Sequence, residues 1–535
     1  MSTNSLPYYQ RVFFKNAEDL RTKEPQYNFD KYCFYMLNVC EICGRPLDGK
    51  ELPVKSGKKK FSIMTDTTEY MRHESKKCDK YQCKRYIVGT YAQFMEDGNG
   101  PYGNYDNTLR AFNADASAAR LAEIDYVLFE RRDSITDPEG AAISIMPHVV
   151  RILHQLGMFN DVLKLGSPMR STVHVNGDDK GWRDDGGTVI AEKFGYNVML
   201  FERYQLVDLL LRSLPDHHQR IKTSKSVKSI QERDDGVSVT LEDGSVEHGS
   251  IVIGADGVHS KVRQLLSEMH PGDIDAAPFT SFTHGLYGHG PRTDAFHDGE
   301  IVERHSDGWA FQTLTGGDRT YYFIYKTLAE PTKERKRFTK ADAAEFVKPY
   351  LDEKIIGDIT FEELWKGRDV GNLRHLEQGI SRVWSRGRVV LLGDSVHKVT
   401  PNLGAGGNMG IESAVCLANH LHALLLRRPC PDTTSLSQIF HAYREQRIEV
   451  VETWYNIAYA QMKFLTFETD RHKKAFDKAS ENGLQSTSRS PPSDRYLRGL
   501  RQGITLNYVP FESELSGTCP WADGTPPALD PRPKL

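Results

Sequence analysis

Asp394, Pro401, Gly404, Gly406, Gly407 and Asn408 crowd into the single stretch 388–414, RVVLLGDSVHKVTPNLGAGGNMGIESA. Their types suit holding a ligand through the backbone. Asp394 offers a carboxylate to hydroxyl groups, Pro401 and Asn402 set a turn, and the three glycines let the main chain approach closely. A glycine-rich loop that runs into a helix start presents N–H groups and the positive end of the helix dipole, which suits negative charge. The elements that position these residues are legible around them. Val389–Leu392 has the length and composition of a buried strand, Gly393-Asp394 ends it, and apolar spacing predicts a helix from Ile411 to Leu425.

Other stretches repeat the strand-then-polar-turn pattern. IVIGADGVHSKVR (251–263) predicts a strand over Ile251–Ile253, a turn containing Asp256, and a helix carrying Ser260, Lys261 and Arg263. YVLFERRD (126–133) predicts a strand over Tyr126–Phe129 ending at Glu130, the position from which a dinucleotide fold holds an adenosine ribose. EGAAISIMPHVVRILHQLG (139–157) contains Ser144, and ERYQLVDLLL (202–211) places Arg203 just inside a helix.

Together these stretches resemble the class A FAD-dependent monooxygenases, the aromatic hydroxylases, and within them the fungal paxilline-type FAD-dependent monooxygenase family of secondary metabolism. The resemblance spans about residues 115–480. It implies that Asp394 binds ribityl or ribose hydroxyls of FAD and that Pro401 lies beside the reacting edge of the flavin. It further implies that Gly404–Asn408 presents N–H groups to the pyrimidine end of the ring, where reduced flavin carries negative charge. Asp256 falls at the family's Asp-Gly motif near the pyrophosphate, Glu130 at its ribose-binding acid, and Arg203 at its FAD-contacting Arg. Ser144 stands where the family has a flavin-facing Gly, a departure. The implied activity inserts one oxygen atom from O2 into an electron-rich aromatic or alkene small molecule, with FAD as cofactor and NAD(P)H as co-substrate. The family's sheet-domain Tyr is displaced; FTHGLYGHGPR (282–292) offers His284 and Tyr287 as catalytic candidates, with His289 and Arg292 nearby. His397 and Lys398 are expected to shape the flavin loop.

The opening signature of such a fold, G-x-G-x-x-G between a strand and a helix, is missing. Counting back from Glu130 places it near residues 107–112, which read NTLRAF. Three alternatives accommodate this: a degenerate flavoprotein-like scaffold with weak or no FAD binding, an N-terminally mis-assembled monooxygenase, or an unrelated N-terminal segment that supplies a substitute for the loop. An epoxidase, halogenase or reductase of the same superfamily is a further reading of the activity.

The expected fold class is α/β: a Rossmann-like FAD-binding domain with an incomplete first βαβ unit, an inserted β-sheet substrate domain and a C-terminal helical region. The expected divisions are an atypical N-terminal region of uncertain fold at 1–110, the FAD-binding domain at 111–265 and 380–430, and the substrate sheet at 266–379. C-terminal helices follow at 431–480, then an irregular tail at 481–535. DSITDPEG (133–140) and HVNGDDKGWRDDGG (174–187) are expected as loops, and VSVTLEDGSVEHGSIVI (237–253) as a hairpin turning at Asp243-Gly244.

With 39% hydrophobic and 26% charged residues, the 535-residue chain suits a soluble globular protein with two or three domains. A net charge of −3 excludes a generally basic, nucleic-acid-binding chain. No apolar run is long enough to span a membrane and no leader pattern is seen, so the expected location is cytoplasmic and the expected partners are a small-molecule substrate and O2. Reduced, unliganded thiols are expected and no metal; Cys40, Cys43, Cys78 and Cys83, with His73 nearby, are the residues that could hold a structural zinc.

Overall fold

The computed structural model describes residues 124–135, 142–214, 220–233, 235–484, 487–488 and 492–522. The expectations about residues 107–112 and about Cys40, Cys43, Cys78 and Cys83 lie outside them.

The described chain is mixed α/β. Its largest element is a nine-stranded sheet ordered His397–Lys398, Val370–Ile380, Thr280–Pro291, Arg319–Thr332, Trp309–Gly316, Glu300–Ser306, Ser171–Asn176, Gly181–Asp184 and Thr487–Ser488. Neighbours run antiparallel except where Glu300–Ser306 meets Ser171–Asn176 and where Gly181–Asp184 meets Thr487–Ser488. Alternation along the strands gives the sheet two faces. On one, Val173, Val175, Leu286, Val302, Phe311, Tyr322 and Ile324 pack with residues of the helices Lys340–Val347 and Phe361–Lys366. The other face carries Ile301, Glu303, Gln312, Leu314 and Phe323 toward a cavity.

The stretch 174–187, expected as a loop, is a correction. It holds most of a hairpin in which Ser171–Asn176 pairs with Gly181–Asp184 in the large sheet. The Asn176 side chain accepts hydrogen bonds from the amides of Asp178 and Lys180, each at 3.0 Å, and so builds the turn locally. Charged residues in the turn and on the second strand, Asp178, Asp179, Lys180, Arg183 and Asp184, hid the period-2 pattern. The hairpin at 237–253 forms, with Val237–Leu241 against Val246–Gly249.

Outside the large sheet, two distant motifs come together. Val252–Gly254 pairs in parallel with Val389–Leu391, so the turns after both strands lie side by side. The Ser395 hydroxyl donates to the Gly254 carbonyl at 2.6 Å. Arg263 reaches across to the Ser395 carbonyl at 2.6 Å and back to the Val258 carbonyl at 2.8 Å. Among the described residues, Leu128–Phe129 pairs with Ile221–Lys222, in a sheet separate from that of Val252–Gly254. Ile253 and Leu128, on the outermost described strands of these two sheets, are 45% and 42% exposed.

Against this core lie the helices Ala405–Leu425 and Thr433–Leu465. The second buries Leu436, Ile439, Phe440, Tyr443, Arg447, Val450, Val451 and Trp454, a stripe at helical spacing. Asp432 caps it by accepting the Ser435 amide at 2.7 Å. The first helix starts earlier than its apolar spacing predicts, because Gly406, Gly407 and Gly410 are themselves helical.

The expectation of an irregular tail needs a second correction. Residues 492–522 include a helix, Asp494–Arg501, and dock on the core. Leu500, Ile504, Leu506 and Val509 are buried, and the Gln155 side chain donates to the carbonyls of Leu506 and Val509, each at 2.7 Å. The proline content concealed that apolar set. No helix among the described residues is long and apolar enough to cross a membrane.

Candidate active site

The strand Val389–Leu391 delivers the chain to the turn Gly393–Ser395, and a second turn, Pro401–Leu403, precedes the helix Ala405–Leu425. Gly404 is the N-cap of that helix with φ +67°, and it has no side chain with which to close the helix end. A Cβ there would stand 3.0 Å from the Ser144 Cβ. A Cβ on Gly407 would meet the Ile143 side chain at 2.7 Å. The helix start therefore lies hard against the strand Ala142–Ile145.

Asn408 locks this junction. Its side chain accepts the Met146 amide at 2.8 Å and donates to the carbonyls of Ser144 and Gly404, each at 2.8 Å. Asp394 is half-buried and receives the Lys398 ammonium at 2.6 Å. His397 is buried, and burial pushes its pKa down to about 4; it shares a hydrogen bond with the Ser413 hydroxyl at 3.0 Å.

Ser144, Asp394, Pro401, Gly404, Gly406 and Gly407 all line one cavity of about 840 Å³. Its opposite wall is the large sheet, with Ile301, Leu314 and Phe323 apolar and His174, Glu303 and Gln312 polar. The register explains the polar patch. Trp182 pairs with His174, His174 with Glu303, Glu303 with Gln312, and Gln312 with Phe323, one continuous row across five strands.

The polar members of that row are tightly bonded. Glu303 faces the His174 Nδ1 at 3.2 Å, and its other oxygen accepts from the side chains of Gln312 at 2.8 Å and Gln461 at 3.2 Å. Gln312 also donates to the Asn402 carbonyl at 2.9 Å, which links the sheet to the turn beside Pro401. His174 Nε2 donates to Asp184 at 3.1 Å, and His305 Nε2 lies 3.3 Å from His174 Nδ1. Burial pushes the His174 pKa down, but hydrogen bonds to Asp184 and Glu303 outweigh it and raise the value to about 9. His305 goes the other way, to about 3, through burial and the neighbouring His174 charge. Burial favours a neutral Glu303, and the His174 contact reverses that to hold the carboxyl below its usual range.

The remaining residues singled out by sequence lie elsewhere. Glu130 follows its strand and accepts the Arg132 amide at 2.9 Å. Arg203 opens the helix Arg203–Arg212 and is exposed. The Asp256 carboxylate accepts the amides of Lys261 at 2.7 Å and Val262 at 3.0 Å, at the start of the helix Lys261–Met269. None of these three lines the cavity.

His284 points to the helix-covered face of the sheet, stacks on His375 at 4.8 Å between ring centres, and has its pKa pushed down to about 4 by burial. Tyr287 belongs to the same cross-strand row as Glu303, beyond Phe323. Three strand spacings separate Tyr287 from Glu303, about 14 Å. Neither His284 nor Tyr287 lines the cavity.

Sequence reasoning missed His174, Glu303, His305 and Gln312. The only local signal was the alternation in IVERHS, which puts Glu303 and His305 on the same face as Ile301.

The cavity fits a flavin. Glycines packed on the strand Ala142–Ile145, an uncapped helix start and a half-buried carboxylate meet at one cavity large enough for a planar ring and a further small molecule. The chain matches the family described as FAD binding domain over residues 117–454. The FAD-dependent monooxygenase esdpE of Penicillium shearii is 30% identical over 403 residues, 73% of this chain and 82% of that protein. The FAD-dependent monooxygenase cdmI of Talaromyces verruculosus is 32% identical over 349 residues, 63% and 73% of the two chains. The fold is shared with Klebsiella pneumoniae HpxO, solved in complex with FAD and uric acid, at 21% identity and a TM-score of 0.55 over 73% of this chain and 93% of that one. The helix start that opens on the cavity and the sequence relationship lead to the same place: the chain belongs to the class A FAD-dependent monooxygenases of fungal secondary metabolism.

Proposed function

We propose that this enzyme inserts one oxygen atom from O2 into an electron-rich aromatic or alkene small molecule, with NAD(P)H as the reductant. The observation that carries the reading is the single cavity shared by the glycine-rich helix start and the large sheet. When bound, FAD supplies the redox chemistry, accepting hydride equivalents and passing activated oxygen to the substrate.

The protein's part is binding, orientation and exclusion of water. The start of the helix Ala405–Leu425 would hold the anionic edge of the ring, with Ser144 beneath it. Asp394 would take a hydroxyl of the cofactor chain, and Pro401 would border the reacting face. Asn408 holds the loop in shape rather than touching the ligand. Glu130, Arg203 and Asp256 would serve the adenosine and pyrophosphate end, Asp256 by setting the helix start beside that path. Ile301, Leu314 and Phe323 would pack on the substrate. The sheet would be an inserted substrate-binding domain, and the segments 124–265 and 380–430 a Rossmann-like FAD-binding domain with an atypical first unit.

Absorbance of the purified protein, before and after incubation with FAD and desalting, tests the cofactor. Anaerobic mixing with NADPH or NADH then tests reduction, and incubation in air with phenols and alkenes tests transfer, read as a one-oxygen mass gain. Retained flavin bands that bleach with NAD(P)H and yield such a product are the expected result. A protein that retains no flavin removes the reading in favour of a scaffold without cofactor.

A further inference from the structure

A carboxylate and a charged imidazole buried on the sheet wall of the cavity, beside Ile301, Leu314 and Phe323, are costly. Replacing a buried ion pair with apolar side chains is often neutral or stabilising. Ile301 and Leu314, one step along the same two strands, show that the face accepts aliphatic residues. Glu303 nevertheless lies there, 4% exposed, between His174 and two glutamines.

The hydrogen-bond inventory leaves room for a ligand. An ionised carboxylate has about four acceptor positions. Gln312 and Gln461 take two on one oxygen of Glu303, and His174 takes one on the other. His305 stands 4.0 Å from that second oxygen, too far to fill the last. Glu303 also lines the cavity.

Charge sets what can fill it. The strands packed around His174 contribute Asp184, Glu303 and His305. With His174 as the one cation and His305 neutral, the cluster carries one net negative charge. The other basic groups on the lining are engaged or peripheral: Lys398 binds Asp394, Arg170 reaches Asp298, and Lys478 is exposed on the helix Asp470–Ala479.

We propose that Glu303, oriented by the Asp184–His174 pair and by Gln312 and Gln461, determines substrate specificity by accepting a hydrogen bond from a hydroxyl of a neutral, largely apolar substrate. The same carboxylate turns away substrates bearing a carboxylate. The inference rests on the monooxygenase reading, since it assigns the wall facing the flavin loop to substrate. Ile301, Leu314 and Phe323 hold the apolar body, and Glu303 fixes one polar end.

Isothermal titration of the FAD-treated full-length enzyme with 4-hexylphenol, its O-methyl ether and 4-hexylbenzoate tests this. In the unaltered enzyme the phenol should bind about ten-fold or more tighter than the ether, as expected for a hydrogen bond to a charged group, and the benzoate weakest. Glu303→Gln should lower the phenol's affinity about ten-fold, leave the ether within about three-fold, and improve the benzoate. A structural role alone would weaken all three together. Equal binding of phenol and ether by the unaltered enzyme, or no binding of either, overturns the proposal without reference to any variant. Flavin absorbance and product formation recorded on the same sample separate the two readings. Flavin turnover without phenol preference removes only the role of Glu303; phenol preference without flavin bands keeps that role and removes the monooxygenase.

Discussion

Gly404 carries two constraints at once. Its φ of +67° is in the left-handed region, and a Cβ would press on Ser144 at 3.0 Å. Gly404→Ala is expected to cost about 1–2 kcal/mol and to weaken flavin retention. Thermal melting and the absorbance of desalted protein check both; an unchanged melting point would remove the strain argument. His174 adds a pH dependence with a definite sign. Its pKa is raised from 6.5 to about 9, so its stabilising contact with Glu303 and Asp184 is fully present below about pH 6.5 and is lost as pH rises through about 9. The amount at stake is on the order of 3 kcal/mol. Trp182 stacks on His174 with ring centres 4.3 Å apart, so its fluorescence should report that titration. The difference spectrum between the enzyme and its Trp182→Phe variant should show a transition near pH 9 that His174→Gln abolishes. A transition near 6.5 would mean that the two carboxylates do not hold the proton.

The helix Lys261–Met269 illustrates how an element's end organises a site. Asp256 and Ser260 both accept from its first-turn amides, and Arg263 ties it to the turn at Ser395. Asp256→Ala is expected to destabilise the protein by about 1 kcal/mol and to loosen the Gly393–Ser395 turn alongside. Hydrogen exchange of the amides of Lys261 and Val262 should quicken first. If exchange quickens equally throughout the domain, Asp256 is not acting as a local cap. The sheet works differently: its polar row exists only because five strands hold their register, and a one-residue slip at Glu300–Ser306 would send Glu303 to the helix-covered face.

A buried ion pair links two helices of the large core. Arg447, on the helix Thr433–Leu465, meets Glu412 of the helix Ala405–Leu425 at 2.9 Å, with both side chains 1% exposed. His148, on the helix Pro147–Gln155, lies 3.6 Å from the same carboxylate, and burial lowers its pKa. Arg447→Met leaves Glu412 buried without its partner and is expected to cost about 3–5 kcal/mol. The double variant Arg447→Met with Glu412→Leu should recover much of that loss in chemical denaturation. No recovery would show that the pair contributes more than mutual neutralisation. The docked segment 492–522 closes the same region from outside, through Leu500 and Leu506 on the core.

Local chemistry was legible wherever a motif is contiguous. Val389–Leu391, the turn at Asp394, the glycines 404–407 and the strand Val252–Gly254 could be placed from sequence, because turn residues and short apolar runs act on the chain within a few positions. The family relationship followed from the same stretches. What stayed hidden depends on contacts far apart in the chain. The hairpin at 171–184 looks polar because its charged residues find partners on other strands, Arg183 at Glu300 and Asp179 at Arg304, and the tail at 492–522 docks on residues hundreds of positions earlier, such as Gln155. Glu303 and His174 are ordinary charged residues in sequence. Only parallel pairing of their two strands sets them side by side, and only hydrogen bonds to two carboxylates, outweighing burial, keep that imidazole a cation.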